Sequence, residues 1–99
     1  MNSVVLSELA EGDLAEIWVE IARDHIESAD RFIDELRARA QHLAEQPLMG
    51  RERSLFGLNV RSFPHGEYLL IYRPTPTGVA IARVIHGRRD LTRIVIPDA

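Results

Sequence analysis

Arg83, His86, Arg88 and Arg89 bring three guanidinium groups and one imidazole into a short run near the end of the chain. Guanidinium groups stay charged at any physiological pH and grip carboxylates or phosphates through a planar fork of donors. Imidazole titrates near neutrality and can take or give a proton. The run therefore offers docking of an acidic partner, or proton transfer by His86 with arginines holding charge. The plainer reading is a strand-end histidine bonded to backbone or to Asp90. Arg61 and Arg73 lie on neighbouring predicted strands. Each is either an edge charge paired with Glu52, Glu67 or Asp90, or part of a basic docking surface. Whether Arg61, Arg73 and Arg83 share a face depends on the hairpin registers, since one residue of slip inverts every side chain.

Composition removes several other chemistries. All 12 basic residues are arginine, so lysine bases are absent, and without cysteine there are no disulfides, thiolate metal sites or thiol nucleophiles. His25, His42 and His65 are scattered with no ligand spacing, so no metal and no cofactor is expected. The net charge of -3 hides an asymmetry: residues 1–50 hold 11 acidic and 4 basic side chains, residues 51–99 hold 4 acidic and 8 basic. A net-negative chain with acidic helices is a poor direct ligand for nucleic acid. The N-terminus shows no basic run before an apolar stretch, and no segment is long enough to span a bilayer. The expectation is a cytoplasmic protein without membrane contact.

The elements that must position these residues follow from periodicity. Ser3 to Ser7 is a β-branched strand ending at a helix-capping serine. Ala10, Leu14, Ile17, Trp18 and Ile21 then recur at helical spacing, predicting a helix over 8–23. Trp18 belongs either to its core stripe or to a rim where it anchors a partner. Asp24 and Glu27 have capping-box spacing, so a second helix starts near Asp24 and runs to Pro47 on the stripe Ala29, Phe32, Ile33, Leu36, Ala40 and Leu43. So short a link makes the two helices a hairpin.

Beyond Gly50 the pattern is that of strands, at 58–63, 67–73 and 79–86, bounded by Pro and Gly. Residues 91–96 are either a last strand or a helical turn. Ninety-nine residues make one domain with one core. The predicted fold is α+β: an N-terminal strand, an antiparallel helical hairpin, then a three-stranded antiparallel meander with the hairpin on one sheet face. The other face is expected to stay partly open, with a partner to cover it.

Taken in order, Ala10-x-x-Asp13-Leu14-x-x-Ile17-Trp18, Ala29-x-x-Phe32-x-x-x-Leu36, Pro47-x-x-Gly50-Arg51, Val60-Arg61, Tyr68-x-x-x-Tyr72-Arg73 and Arg83-Val84-Ile85-His86-Gly87-Arg88-Arg89-Asp90 resemble the ParE branch of the ParE and RelE toxin superfamily. The resemblance implies a bacterial toxin that blocks replication by binding DNA gyrase and is neutralised by a ParD-like antitoxin. On that basis the target contacts fall to Arg83, His86, Arg88 and Arg89, and the antitoxin contacts to Trp18, Arg61, Arg73, Ile94 and Ile96. The sequence departs from the family in the helix link, where His25-Ile26-Glu27-Ser28 stands in place of the usual proline.

The alternative is a ribosome-dependent messenger-RNA endoribonuclease of the RelE type. Such nucleases resemble this chain, yet Leu69 occupies the position after the first tyrosine where they often carry arginine. Their lysines are missing, and no tyrosine follows Tyr72. Cleavage by a 2′-hydroxyl needs a proton acceptor, a proton donor and charge stabilisation, of which arginine supplies only the last. His86 is the one residue able to supply proton transfer, and its plainer reading as a strand-end histidine leaves the expectation of no catalytic residue.

Overall fold

The computed structural model describes residues 2–97. β1 (Ser3–Leu6) leads into α1 (Glu8–Ala22), and a tight link joins it to α2 (Ile26–Glu45). β2 (Arg51–Glu52), β3 (Arg61–His65), β4 (Tyr68–Thr75) and β5 (Gly78–His86) follow, with 3-10 turns at Ser54–Phe56 and Leu91–Arg93. The five strands form one sheet in the order β1-β5-β4-β3-β2.

The meander over β3, β4 and β5 is antiparallel, as the short links require. The sheet as a whole is mixed, because β1 pairs with β5 in parallel through Val4↔Val79 and Leu6↔Ile81. The helical hairpin is the crossover that a parallel pairing needs. At the start of β1 the backbone lies so close to Gly78 that a Cβ there would overlap the Ser3 carbonyl. Ser7 joins strand to helix twice over: its Oγ accepts the Ala10 N–H at 3.0 Å and donates to the Ala82 carbonyl at 2.7 Å. Ala82 is the unpaired residue where the β4–β5 register shifts between Ile71↔Arg83 and Tyr72↔Ile81.

Side chains alternate across β4. Leu70 and Tyr72 face the helices and join Leu14, Ile17, Leu36, Leu43, Ile81 and Val84 in the main core. Ile71 points the other way, into a second cluster with Val60 and Ile85. Phe56, Leu69, Leu91, Ile94 and Ile96 pack against that second cluster. The face expected to lie open is therefore covered by the chain's own end, because Ile94 and Ile96 gain more by burial on Ile71 and Ile85 than by exposure.

Local differences have local causes. The second helix is capped by His25, whose Nδ1 accepts the Ser28 N–H at 3.1 Å, while Asp24 stays in the link with its N–H bonded to Ile21. The third strand starts later than its β-branched run because Gly57 and Asn59 adopt positive φ, 124° and 63°. It extends through Pro64, which β2 does not reach, so its missing donor leaves no gap in the ladder. Residues 91–96 form a turn capped by Asp90 and then an extended stretch.

Candidate functional site

An acid on the buried stripe of α1 sets the first part of the site. Asp13 is one turn from Ala10 and Ile17, and its side chain is 7% exposed. Its carboxylate accepts two bonds from Arg83, Nε at 2.8 Å and Nη2 at 2.9 Å, and a third from the Val84 N–H at 2.9 Å. That third bond fills a ladder position on β5 that β1 is too short to reach. Arg83 also donates to the Val95 carbonyl at 2.9 Å, so one guanidinium ties α1 to the C-terminal stretch. Hydrogen bonding to Asp13 holds the Arg83 proton more firmly still, against the opposing effect of burial. Arg83, expected among the target contacts, lies buried with its guanidinium bonded within the fold.

Three more expected contacts stay on the surface. β5 ends at His86, and the turn after it leaves Arg88 and Arg89 exposed. His86 accepts the Arg88 N–H on Nδ1 at 3.1 Å, and its Nε2 lies 3.9 Å from Glu67. Its ring meets Tyr68 edge-on at 5.2 Å, and Tyr68 in turn meets Phe32 at 5.6 Å. Beside them a cleft of about 270 Å³ opens between α1 and the strand ends, lined by Glu16, Glu20, Tyr68, His86 and Arg89. Burial, followed by Glu20 and Glu67, raises the Tyr68 phenol above its ordinary value. The hydroxyl is protonated at neutral pH and can donate a hydrogen bond.

The expected antitoxin contacts divide in the same way. Arg61 donates to the carbonyls of Leu48 and Gly50 at 3.2 and 2.7 Å and pairs with Glu52 at 3.2 Å. Tyr72, opposite it in the ladder, donates to the Pro47 carbonyl and accepts the Gly50 N–H, each at 2.8 Å. A Cβ on Gly50 would overlap the Tyr72 hydroxyl, so Pro47, Gly50, Arg61 and Tyr72 form one clasp at the exit of α2. Arg73, on the opposite sheet face, donates to the Pro97 carbonyl at 2.7 Å. Ile94 and Ile96 pack on the second core. Trp18 is half-buried outside both cores, donating to Asp30 across the hairpin at 2.8 Å, which places it at a rim. Arg61 and Tyr72 share the helix side, whereas Arg73 and Arg83 do not.

Asp13 and Tyr68 had no assigned role in the sequence. An acid on an apolar helical stripe is itself the signal for a buried cation, although its partner is 70 residues away. Among the described residues no group of three His, Asp or Glu could hold a metal, and no helix is long and apolar enough to cross a membrane.

A family model described as the ParE toxin of the type II toxin-antitoxin system, parDE, matches residues 4–91. The chain belongs to the ParE toxin family. This ParE-family chain is 38% identical to Toxin RelE3 of Caulobacter vibrioides over 89 residues, covering 88% of this chain and 96% of that one. It is 31% identical to Toxin ParE1 of Mycobacterium tuberculosis over 91 residues, covering 90% and 93%. Its fold matches a solved structure described as the chromosomal ParDE TA system from P. aeruginosa with a TM-score of 0.72 at 18% identity, covering 87% of this chain and 96% of the other. The clasp and the Asp13–Arg83 pair thus account physically for several of the residues that carried the ParE resemblance.

Proposed function

We propose that this ParE-family toxin inhibits DNA gyrase through its arginine end and is neutralised in the cytoplasm by a ParD-like antitoxin. One observation carries the target assignment. Arg88 and Arg89 stand exposed at the end of β5 with no carboxylate paired to either guanidinium among the described residues. Paired side chains spend their charge inside the fold, whereas these two keep it for a partner's carboxylates. His86 and the adjoining Tyr68 give that end an aromatic edge beside the charge.

A second reading, ribosome-dependent cleavage of messenger RNA, draws on the RelE3 relative and on Tyr68, His86 and Arg89 sharing one cleft. The charges in that cleft oppose it. Glu16 and Glu20 line its wall, and their carboxylates repel a phosphate placed there. Induced expression followed by primer extension on cellular messages separates the two readings. The expected outcome is stalled growth and a DNA-damage response without codon-positioned cuts. Cleavage within minutes and no DNA damage would overturn the gyrase reading.

A further inference from the structure

The second half of α2 carries a polar stripe at helical spacing, Glu35, Ala38, Arg39 and His42, turned toward β3. Phe63 and His65, two residues apart on β3, project to the helix side and face it. Ala38 is the small member of the stripe, and the room it leaves is a hollow of about 330 Å³ lined by Glu35, Ala38, Arg39, His42 and His65. The Arg39 guanidinium lies over the Phe63 ring, 5.3 Å from its centroid, which fixes its plane. Its Nη1 stands 3.0 Å from His42 Nδ1. An arginine can only donate, so Nδ1 accepts and the His42 ring proton sits on Nε2. Among the described residues Arg39 pairs with no carboxylate, and its buried Nε has no hydrogen-bond partner. One carboxylate shares the hollow. It is that of Glu35, which accepts from His65 Nε2 at 3.4 Å.

From this arrangement we propose that the hollow between α2 and β3 binds a phosphate group, held by the fork of Arg39 with His42 Nε2–H as a further donor. A guanidinium whose plane is already fixed loses little freedom on gripping an oxyanion, and most of its five donors are unspent. A planar carboxylate is satisfied by one fork. Phosphate presents oxygens in several directions and can meet Arg39 and His42 together. The cleft beside Tyr68 differs in its charges, because two carboxylates, Glu16 and Glu20, line its wall, whereas here the single Glu35 is engaged by His65. Glu35 therefore weakens the site without closing it. The free ion and the terminal phosphate of a nucleotide share this chemistry. β4 separates β3 from β5, so the hollow lies apart from the arginine end, and the inference does not depend on the gyrase reading.

The test titrates inorganic phosphate into the full chain at fixed pH and ionic strength and follows the ring signals of His42 and His65 by NMR. Saturable shifts with a dissociation constant of about 1 mM or tighter are expected. Arg39→Gln should weaken binding by about tenfold or more, and Glu35→Gln should tighten it by removing the like charge. Ala38→Leu fills the hollow while leaving Arg39 in place and should abolish binding, so the outcome does not hang on the folding of the Arg39 variant. Arg37→Gln, on the other side of α2 where it lines a different cavity, should leave affinity unchanged. Adenosine monophosphate tells the two sources apart. Binding as tight as that of phosphate or tighter assigns a nucleotide, weaker binding assigns the free ion, and either supports the site. The proposal is overturned by the absence of a saturable shift at about 10 mM phosphate, or by unchanged affinity in Ala38→Leu. Equal losses in Arg37→Gln and Arg39→Gln, the mark of general charge screening, would overturn it too.

Discussion

Arg83 lies near the end of β5 with its guanidinium occupied by Asp13 and the Val95 carbonyl, whereas Arg88 and Arg89 in the following turn face solvent. The same functional group therefore has two roles. Removing one partner of a buried ion pair leaves the other charge stranded, so Arg83→Gln should destabilise the chain by about 3–5 kcal/mol in urea unfolding, and Asp13→Ala similarly. The Arg88→Gln/Arg89→Gln double variant should stay within about 0.5 kcal/mol of wild type and lose toxicity on induction. Glu11→Gln/Glu27→Gln, on exposed helix positions, should keep it. Full toxicity in the arginine double variant would move the target surface to the helical hairpin. Tyr72 adds a pH dependence. Burial raises its phenol above the usual value, against the opposing pull of Gly50 N–H and Arg61. A raised folded pKa contributes stability that is complete below the unfolded value of about 10 and lost as pH rises through the folded value. Melting temperature should thus fall above about pH 10 and fall less in Tyr72→Phe. The variant itself, lacking the hydroxyl that serves Pro47 and Gly50, should start about 1–3 kcal/mol less stable at neutral pH.

The C-terminal stretch behaves as part of the core although it belongs to no strand. Ile94→Asp/Ile96→Asp should uncover Val60, Ile71 and Ile85 and lower stability by roughly 1.5–3 kcal/mol for each side chain fully exposed, measured by denaturant midpoint. Were this stretch only a docking site, the double substitution would leave the midpoint unchanged. What the sequence disclosed at this scale was local. Ser7 as a cap, the two helical stripes and the three hairpin strands all follow from residues within a few positions of one another, and Arg61 with Glu52 was among the foreseen pairs. The parallel docking of β1 on β5 joins residues 75 apart, and the Asp13–Arg83 pair joins residues 70 apart. No periodicity reports such distances. His25 displaced Asp24 as the helix cap because an imidazole nitrogen serves as acceptor as well as a carboxylate does. The second sheet face seemed destined for a partner only because the short apolar end Ile94-Val95-Ile96 gives no sign of which surface it will cover.

Acidic helices lie on one side of the sheet, and the half of the chain from residue 51 onward carries the excess of arginine, so the molecule is charged unevenly. Such asymmetry steers partners of opposite sign to different ends and favours a target and an antitoxin that bind separate surfaces. A partner that binds only the folded chain stabilises it by mass action, by about 2.7 kcal/mol when present at a hundred times its dissociation constant, and so raises its melting temperature. A ParD-like antitoxin should produce such a shift, and the Arg88→Gln/Arg89→Gln variant should show it undiminished. The central claim, that this toxin acts on gyrase through its arginine end, is tested most directly by titrating the purified chain into a gyrase supercoiling reaction. Loss of supercoiling with wild type, abolished by the Arg88→Gln/Arg89→Gln substitutions and reversed by the antitoxin, is the predicted result. Supercoiling that proceeds unchanged at saturating concentrations of the folded wild-type chain would contradict it.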